Sequence, residues 1–187
     1  MQSTIICSTY NNTRFLSLVL DSLLHQSSLQ YELIIADDGS AEKTIQLIKK
    51  YSSNAPFSVQ HVWHEDKGWR KAEIHNLAIS KAKNEHIILI DGDCILGPTF
   101  VKDHRKIFFK EKKNFVLMGR RIELGEHITK ELTRDNYRSH LLSKFPAKLI
   151  KSALQKDTYG ALRKFSIRSP FARKLINANN VKDLLGA

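Results

Sequence analysis

The sequence predicts an α/β fold with a mainly parallel central sheet flanked by helices, followed by a basic, mainly helical C-terminal segment. Three observations carry this expectation. Short aliphatic runs alternate with helix-patterned stretches through the first half of the chain, and strands alternating with helices join through right-handed crossovers into parallel sheets. Each aliphatic run ends in polar residues, the last being Ile87-Ile88-Leu89-Ile90 followed by Asp91-Gly92-Asp93. After about residue 124 the strand pattern stops and basic residues accumulate.

The elements follow in order. Residues 3–8 read as a strand, and Asn11-Asn12-Thr13 offers caps for a helix with Phe15, Leu16, Val19, Leu20, Leu23 and Leu24 at helical spacing. Residues 32–36 form a second strand ending in Asp37-Asp38-Gly39-Ser40. Ser40 or Asp38 is expected to cap the next helix, about 42–51, with Ile45, Leu47 and Ile48 inward. Residues 57–63 read as the third strand and 64–70 as a polar loop. A helix over about 71–82 and a strand over 86–90 complete the alternation. Pro98 opens a helix carrying Phe100, Val101, Ile107 and Phe108, and Phe115 to Met118 reads as another strand. Further on, Leu141, Leu142, Phe145, Leu149 and Ile150 recur at three-to-four spacing with Lys144, Lys148 and Lys151 between them, the pattern of a basic amphipathic helix. It suits either a membrane surface or ordinary packing on the domain.

A chain of 187 residues suits one ordinary domain with its own core. We divide it at the end of the alternation, into 1–123 and a basic helical extension of the same domain, 124–187. The first apolar stretch, Ile5-Ile6-Cys7, is followed at once by polar residues, unlike a signal peptide, and no run approaches the roughly 18 apolar residues of a membrane span. The expected location is therefore cytoplasmic. Cys7 and Cys94 have no His or Cys neighbours at zinc spacing and read as small buried hydrophobes. From Arg134 onward twelve Lys or Arg stand against three Asp, a local balance of +9 within a total of +11. Residues 134–182 could meet anionic lipid headgroups on the cytoplasmic face of a membrane, or phosphates, or only water. Nucleic acid is disfavoured, because no stacking or recognition-helix motif accompanies the charge.

Chemistry is read from the strand ends, where open parallel sheets bind ligands. Paired carboxylates such as Asp91 and Asp93 at the end of a buried strand need compensation, and a hard divalent cation shared with a diphosphate supplies it. Gly92 would let the backbone approach a ligand closely. In Asp37-Asp38-Gly39-Ser40 one aspartate suffices for turn or cap chemistry, leaving the other free to accept from a base imide such as uracil N3. The loop Gly68-Trp69-Arg70-Lys71 brings cations to a diphosphate, and the arginine fork suits phosphate oxygens. Trp69 fits either the core or this loop. His64, His75 and His86 lack metal spacing and read as structural.

Cys7-Ser8-Thr9-Tyr10-Asn11, Ala36-Asp37-Asp38-Gly39-Ser40, Asp66-Lys67-Gly68-Trp69-Arg70 with Asn76, and Ile90-Asp91-Gly92-Asp93 together resemble the successive motifs of family 2 glycosyltransferases with the GT-A fold. Order and spacing match across residues 3 to about 121. The Gly-Trp-Arg version most resembles the branch that holds bacterial chondroitin-polymerase-like and capsule or lipopolysaccharide sugar transferases. The resemblance implies that Thr9, Tyr10 and Asn11 line a nucleotide pocket and that Asp37 or Asp38 binds uracil. It also implies that Gly68, Arg70 and Asn76 contact ribose or diphosphate. Asp91 and Asp93 match the family's Asp-x-Asp, implying Asp93 as the preferred ligand of Mn²⁺ or Mg²⁺, with Asp91 toward the ribose or sugar. A UDP-sugar donor, a polysaccharide or lipid-linked glycan acceptor and inversion at the sugar carbon follow from the same resemblance. So does a carboxylate base downstream, which is expected beyond residue 187; no catalytic residue is identified within the chain. A second reading is a truncated remnant that binds nucleotide-sugar but transfers nothing, and a third, resting on charge alone, is a basic nucleic-acid-binding domain.

Overall fold

The computed structural model describes residues 2–110, 115–119, 121–143 and 147–159. Its contacts form two compact units, Met1–Phe115 and Val116–Ala187.

The first unit is built on four parallel strands, β1 (Ser3–Thr9), β2 (Tyr31–Asp37), β3 (Val59–Trp63) and β4 (Ile87–Asp91), in the order β3-β2-β1-β4. All seven residues of β1 and all seven of β2 are buried, because both strands are inside the sheet and covered on both faces. Side chains of successive residues point to opposite faces, and the core divides accordingly. Ile5, Cys7, Leu33, Ile35, Ile88 and Ile90 pack with Leu16, Val19, Leu20 and Leu23 of α1 (Thr13–Leu24) and Ile48 of α2 (Glu42–Ser52). Ile6, Ile34, Ala36 and Val62 face the other way, onto Ile74 and Ala78 of α3 (Lys71–Ser80). The chain therefore winds β1 to β3 outward on one side and returns through α3 to place β4 against β1. That reversal lies between the carboxyl ends of β1 and β4, where a crevice opens in folds of this kind.

Buried polar groups tie the layers. Glu32 accepts from Thr4 Oγ1 at 2.7 Å, the Lys83 amide at 2.7 Å and Asn84 Nδ2 at 3.2 Å, joining β1 and β2 to the turn before β4. Gln26 donates to the Gly97 carbonyl and accepts from the Val101 amide, fixing the start of α4 (Phe100–Lys110) against the end of α1.

In the second unit α5 (Glu126–Glu131), a π-helical turn (Arg138–Leu142) and α6 (Ala147–Leu154) bury Ile128, Leu132, Tyr137, Leu141 and Leu149. An antiparallel bridge joins Glu123 to Tyr159. No helix among the described residues is long and apolar enough to cross a membrane.

Three sequence expectations are corrected. Phe115 to Met118 form no strand, and Val116 and Met118 are almost fully exposed; among the described residues no strand lies alongside to complete the hydrogen bonds of this apolar run. The basic amphipathic stretch is not one helix, since the π-helical turn stops at Leu142, Ser143 is extended, and helix resumes only at Ala147. Lys144, Phe145 and Pro146 lie outside the described residues. Finally, neither Ser40 nor Asp38 caps α2, whose N-cap is Ala41 without a side-chain bond. Asn12 does cap α1, accepting from the Phe15 amide at 3.3 Å.

Gly92 is held by its surroundings. Its amide donates to the Ser8 carbonyl at 2.7 Å, and a Cβ there would stand 2.6 Å from the same oxygen. Gly92→Ala is expected to destabilise the chain by about 1–3 kcal/mol, the usual scale of overpacking, measured by urea denaturation; an unchanged midpoint would contradict this packing.

Candidate functional site

The carboxyl ends of β1, β2 and β4 are stitched together by backbone bonds that continue past the ladder. The Asp38 amide donates to the Thr9 carbonyl at 3.0 Å and the Gly92 amide to Ser8. Asn11, in the left-handed region at φ 47°, then links two loops: its amide donates to Ser40 Oγ and its Oδ1 accepts the Ala41 amide, both at 2.8 Å. Ser40, engaged in this way, is unavailable as a cap for α2.

The two aspartates ending β2 have separate surroundings. Asp37 is wholly buried, accepts the Ser40 amide at 2.8 Å and lies 2.9 Å from His61 Nε2. Asp38 has one oxygen 2.6 Å from His64 Nε2 and the other accepting the Arg70 amide at 3.0 Å. His64 thereby holds Asp38 in place. Gly39 lies at φ 95°, and a Cβ there would meet the Asp66 backbone at 2.6 Å, so the 64–70 loop lies directly on the turn after β2. Asp66 in turn accepts from the Tyr10 hydroxyl at 2.8 Å and from the Gly68 amide at 3.1 Å. The Tyr10 hydrogen bond, then the Gly68 amide, hold Asp66 below the usual carboxylate range.

Arg70 pairs with Glu73 at 3.2 Å and donates to the Glu65 carbonyl. Trp69 is 86% exposed, which answers the alternative of a core position. Asn76 is exposed on α3. At the crevice between β1 and β4, Ser8 and Asp91 are register partners, and Ser8 Oγ donates to Asp91 Oδ1 at 3.0 Å. Lys71 Nζ, on the residue after Arg70, also reaches Asp91 Oδ1, at 2.5 Å. The Lys71 hydrogen bond is the largest of the effects on Asp91 and, with Ser8, outweighs partial burial to hold its carboxyl below the ordinary value. Burial and then the Lys71 charge push His75 down, which favours its neutral form. Sequence reading places Lys71 among diphosphate cations but gives no sign of its partnership with Asp91, twenty residues away.

A divalent cation is implied by the resemblance, and the donor set fits one. Asp91, Asp93 and Cys94 each offer a ligand atom, all within 4.8 Å of one another. Asp93 is exposed, and two hard carboxylates suit Mg²⁺ or Mn²⁺. The Cys94 thiol is pushed up to about 11, first by burial and then by Asp93. Thr9 Oγ1, Arg70 Nε and His75 Nε2 are buried polar atoms without a hydrogen-bond partner, the kind of group whose satisfaction an ion or ligand supplies. Gly92 accommodates the Ser8 carbonyl, which a side chain at this position would meet.

The parallel sheet reverses at β1/β4 with carboxylates from β2 and β4 at its carboxyl end, and its fold is that of the GT-A class of nucleotide-diphospho-sugar transferases. The profile described as "Glycosyl transferase family 2" matches residues 4–173, and the chain belongs to that family. It is 28% identical over 127 residues to a chondroitin synthase of Escherichia coli, covering 66% of this chain and 18% of that protein. To the poly(ribitol-phosphate) beta-N-acetylglucosaminyltransferase TarS of Staphylococcus aureus it is 26% identical over 168 residues, covering 84% and 29%. The crystal structure of S. aureus TarS in complex with UDP-GlcNAc superposes with a TM-score of 0.51 at 24% identity, covering 59% of this chain and 32% of that one, a likeness of fold. The chain spans less than a third of the length of these curated relatives.

Two outcomes test this geometry. His64→Ala leaves an oxygen of the nearly buried Asp38 without its partner and is expected to cost about 1–3 kcal/mol, the penalty of an unsatisfied buried group; urea unfolding measures it. Because Asp91 has a depressed folded value, its contribution to stability is present above the ordinary carboxyl range and is lost as the pH falls through the folded value. Ser8→Ala removes one of the donors responsible, so the Asp91 carboxyl carbon should titrate at higher pH by NMR, and an unmoved titration would speak against the Ser8 bond.

Proposed function

We propose that the chain forms the donor-binding part of an inverting, metal-dependent glycosyltransferase that moves a sugar from a UDP-sugar to a polysaccharide or lipid-linked glycan. The observation that carries this is the convergence, at the β1/β4 reversal, of Asp91 and Asp93 with the Asp38–Arg70 amide contact from the neighbouring strand end. Family membership supports sugar transfer. The UDP-GlcNAc complex of TarS and the activities named for TarS and chondroitin synthase support a UDP-sugar and a surface-polymer acceptor.

In this reading Thr9, Tyr10 and Asn11 line the nucleotide pocket. Asp38, less deeply buried than Asp37 and in contact with the 64–70 loop through His64 and the Arg70 amide, takes the base imide. Gly68, Arg70 and Asn76 approach the ribose and diphosphate, with the buried unpartnered Arg70 Nε as an available donor. Asp93, the more exposed of the pair, is the principal metal ligand and Asp91 the second. A divalent cation held there supplies positive charge to the departing diphosphate as a Lewis acid. We place the protein in the cytoplasm, with its basic residues 134–182 against anionic lipid. Lys148 in that segment already pairs with Glu131, and residues 160–187 lie outside the described residues.

The test is a calorimetric melting titration with UDP, with and without Mn²⁺. A ligand that binds only the folded chain raises its stability by about 2.7 kcal/mol at one hundred times its dissociation constant. The parent should shift only when both are present, and Asp93→Ala should melt like the parent alone yet lose the shift. If the variant responded to UDP and Mn²⁺ as the parent does, the metal assignment would be wrong.

A further inference from the structure

Lys71 opens α3 with its ammonium on Asp91 Oδ1, the oxygen that also accepts Ser8 Oγ. A carboxylate read as a metal ligand therefore already carries a cation. The other carboxylate of the pair, Asp93, is exposed and among the described residues has the Cys94 thiol, at 3.5 Å, as its one hydrogen-bond neighbour. An ammonium and a divalent cation cannot share one carboxylate oxygen without like-charge repulsion across a few ångströms, so metal alone meets a partly neutralised site. Both side chains keep contact with water, Lys71 at 34% and Asp91 at 42% exposure, which leaves the ammonium room to move. A diphosphate arriving in the crevice offers it a stronger anionic partner.

We propose that Lys71 is a positioning residue that couples metal binding to nucleotide binding: it holds Asp91 as a resident cation until a nucleoside diphosphate draws its ammonium away and frees Asp91 for the metal. This rests on the donor-site reading above. It requires reciprocity, since UDP must raise the affinity for Mn²⁺ by the same factor as Mn²⁺ raises that for UDP.

The experiment follows free Mn²⁺ by electron paramagnetic resonance as the 187-residue chain is titrated, with and without UDP and corrected for Mn²⁺ held by UDP in solution. Parent, Lys71→Met and Lys71→Arg are compared, with circular dichroism and melting to establish that each is folded. Lys71→Gln, which keeps a donor to Asp91 without its charge, serves where methionine disturbs the start of α3. In the parent, UDP should tighten Mn²⁺ binding by about tenfold or more, within the usual range of coupling between sites. The neutral variants should bind Mn²⁺ alone several-fold tighter than the parent, bind UDP alone more weakly and lose most of the coupling, whereas Lys71→Arg should retain it. A parent in which UDP and Mn²⁺ do not assist each other would overturn the donor-site reading and this inference with it. A parent that shows the coupling, with neutral variants that match it, would overturn this inference alone.

Discussion

The placement of β1 is the constraint on which the rest depends. It pairs with β2 along one edge and β4 along the other, and helices cover both of its faces, so all seven residues are out of water. A strand enclosed on four sides leaves its chain direction only one exit, and Ser8 to Asn11 must emerge between the ends of β2 and β4. The carbonyls of Ser8 and Thr9 then serve as anchors for the amides of Gly92 and Asp38. Two carboxylate-bearing loops that are distant in sequence are held to fixed positions by the backbone of a third.

Acidity at such a place has to be balanced, and the balance differs at each carboxylate. Asp37 and Asp38 each sit against an imidazole, His61 and His64, carried by the edge strand and the loop beyond it. Asp91 has an ammonium and a hydroxyl, and Asp93 is exposed with the Cys94 thiol beside it. Asp91 is therefore the most firmly compensated of the four and Asp93 the least. The least compensated group is the one best disposed to take a cation, an arrangement in which the fold itself grades the carboxylates by availability.

Much of this was legible in the sequence because it depends on local pattern. The strands and first three helices follow from apolar runs and helical spacing, since burial on one or two faces imposes those periods directly. The family motifs lie at strand ends because the topology puts them there. What stayed hidden depends on partners far along the chain. Asp-Gly-Ser reads as a cap for the helix that follows it, but Asn11, 29 residues earlier, engages Ser40 instead. His64 reads as structural without indicating that Asp38 is its partner, and the sequence around Gly92 gives no sign that the Ser8 carbonyl excludes a side chain there. Phe115 to Met118 has the composition of a strand and lacks only a neighbour, which composition cannot supply.

The two tryptophans of the chain both lie outside the core. Trp63 ends the edge strand with its indole N–H donating to the Ser40 carbonyl at 3.2 Å, and Trp69 stands in water on the adjoining loop. Trp69 emission will therefore be that of hydrated indole, while Trp63 reports on the turn after β2. The same placement makes intrinsic fluorescence a local optical reporter of whatever settles on the carboxyl end of the sheet.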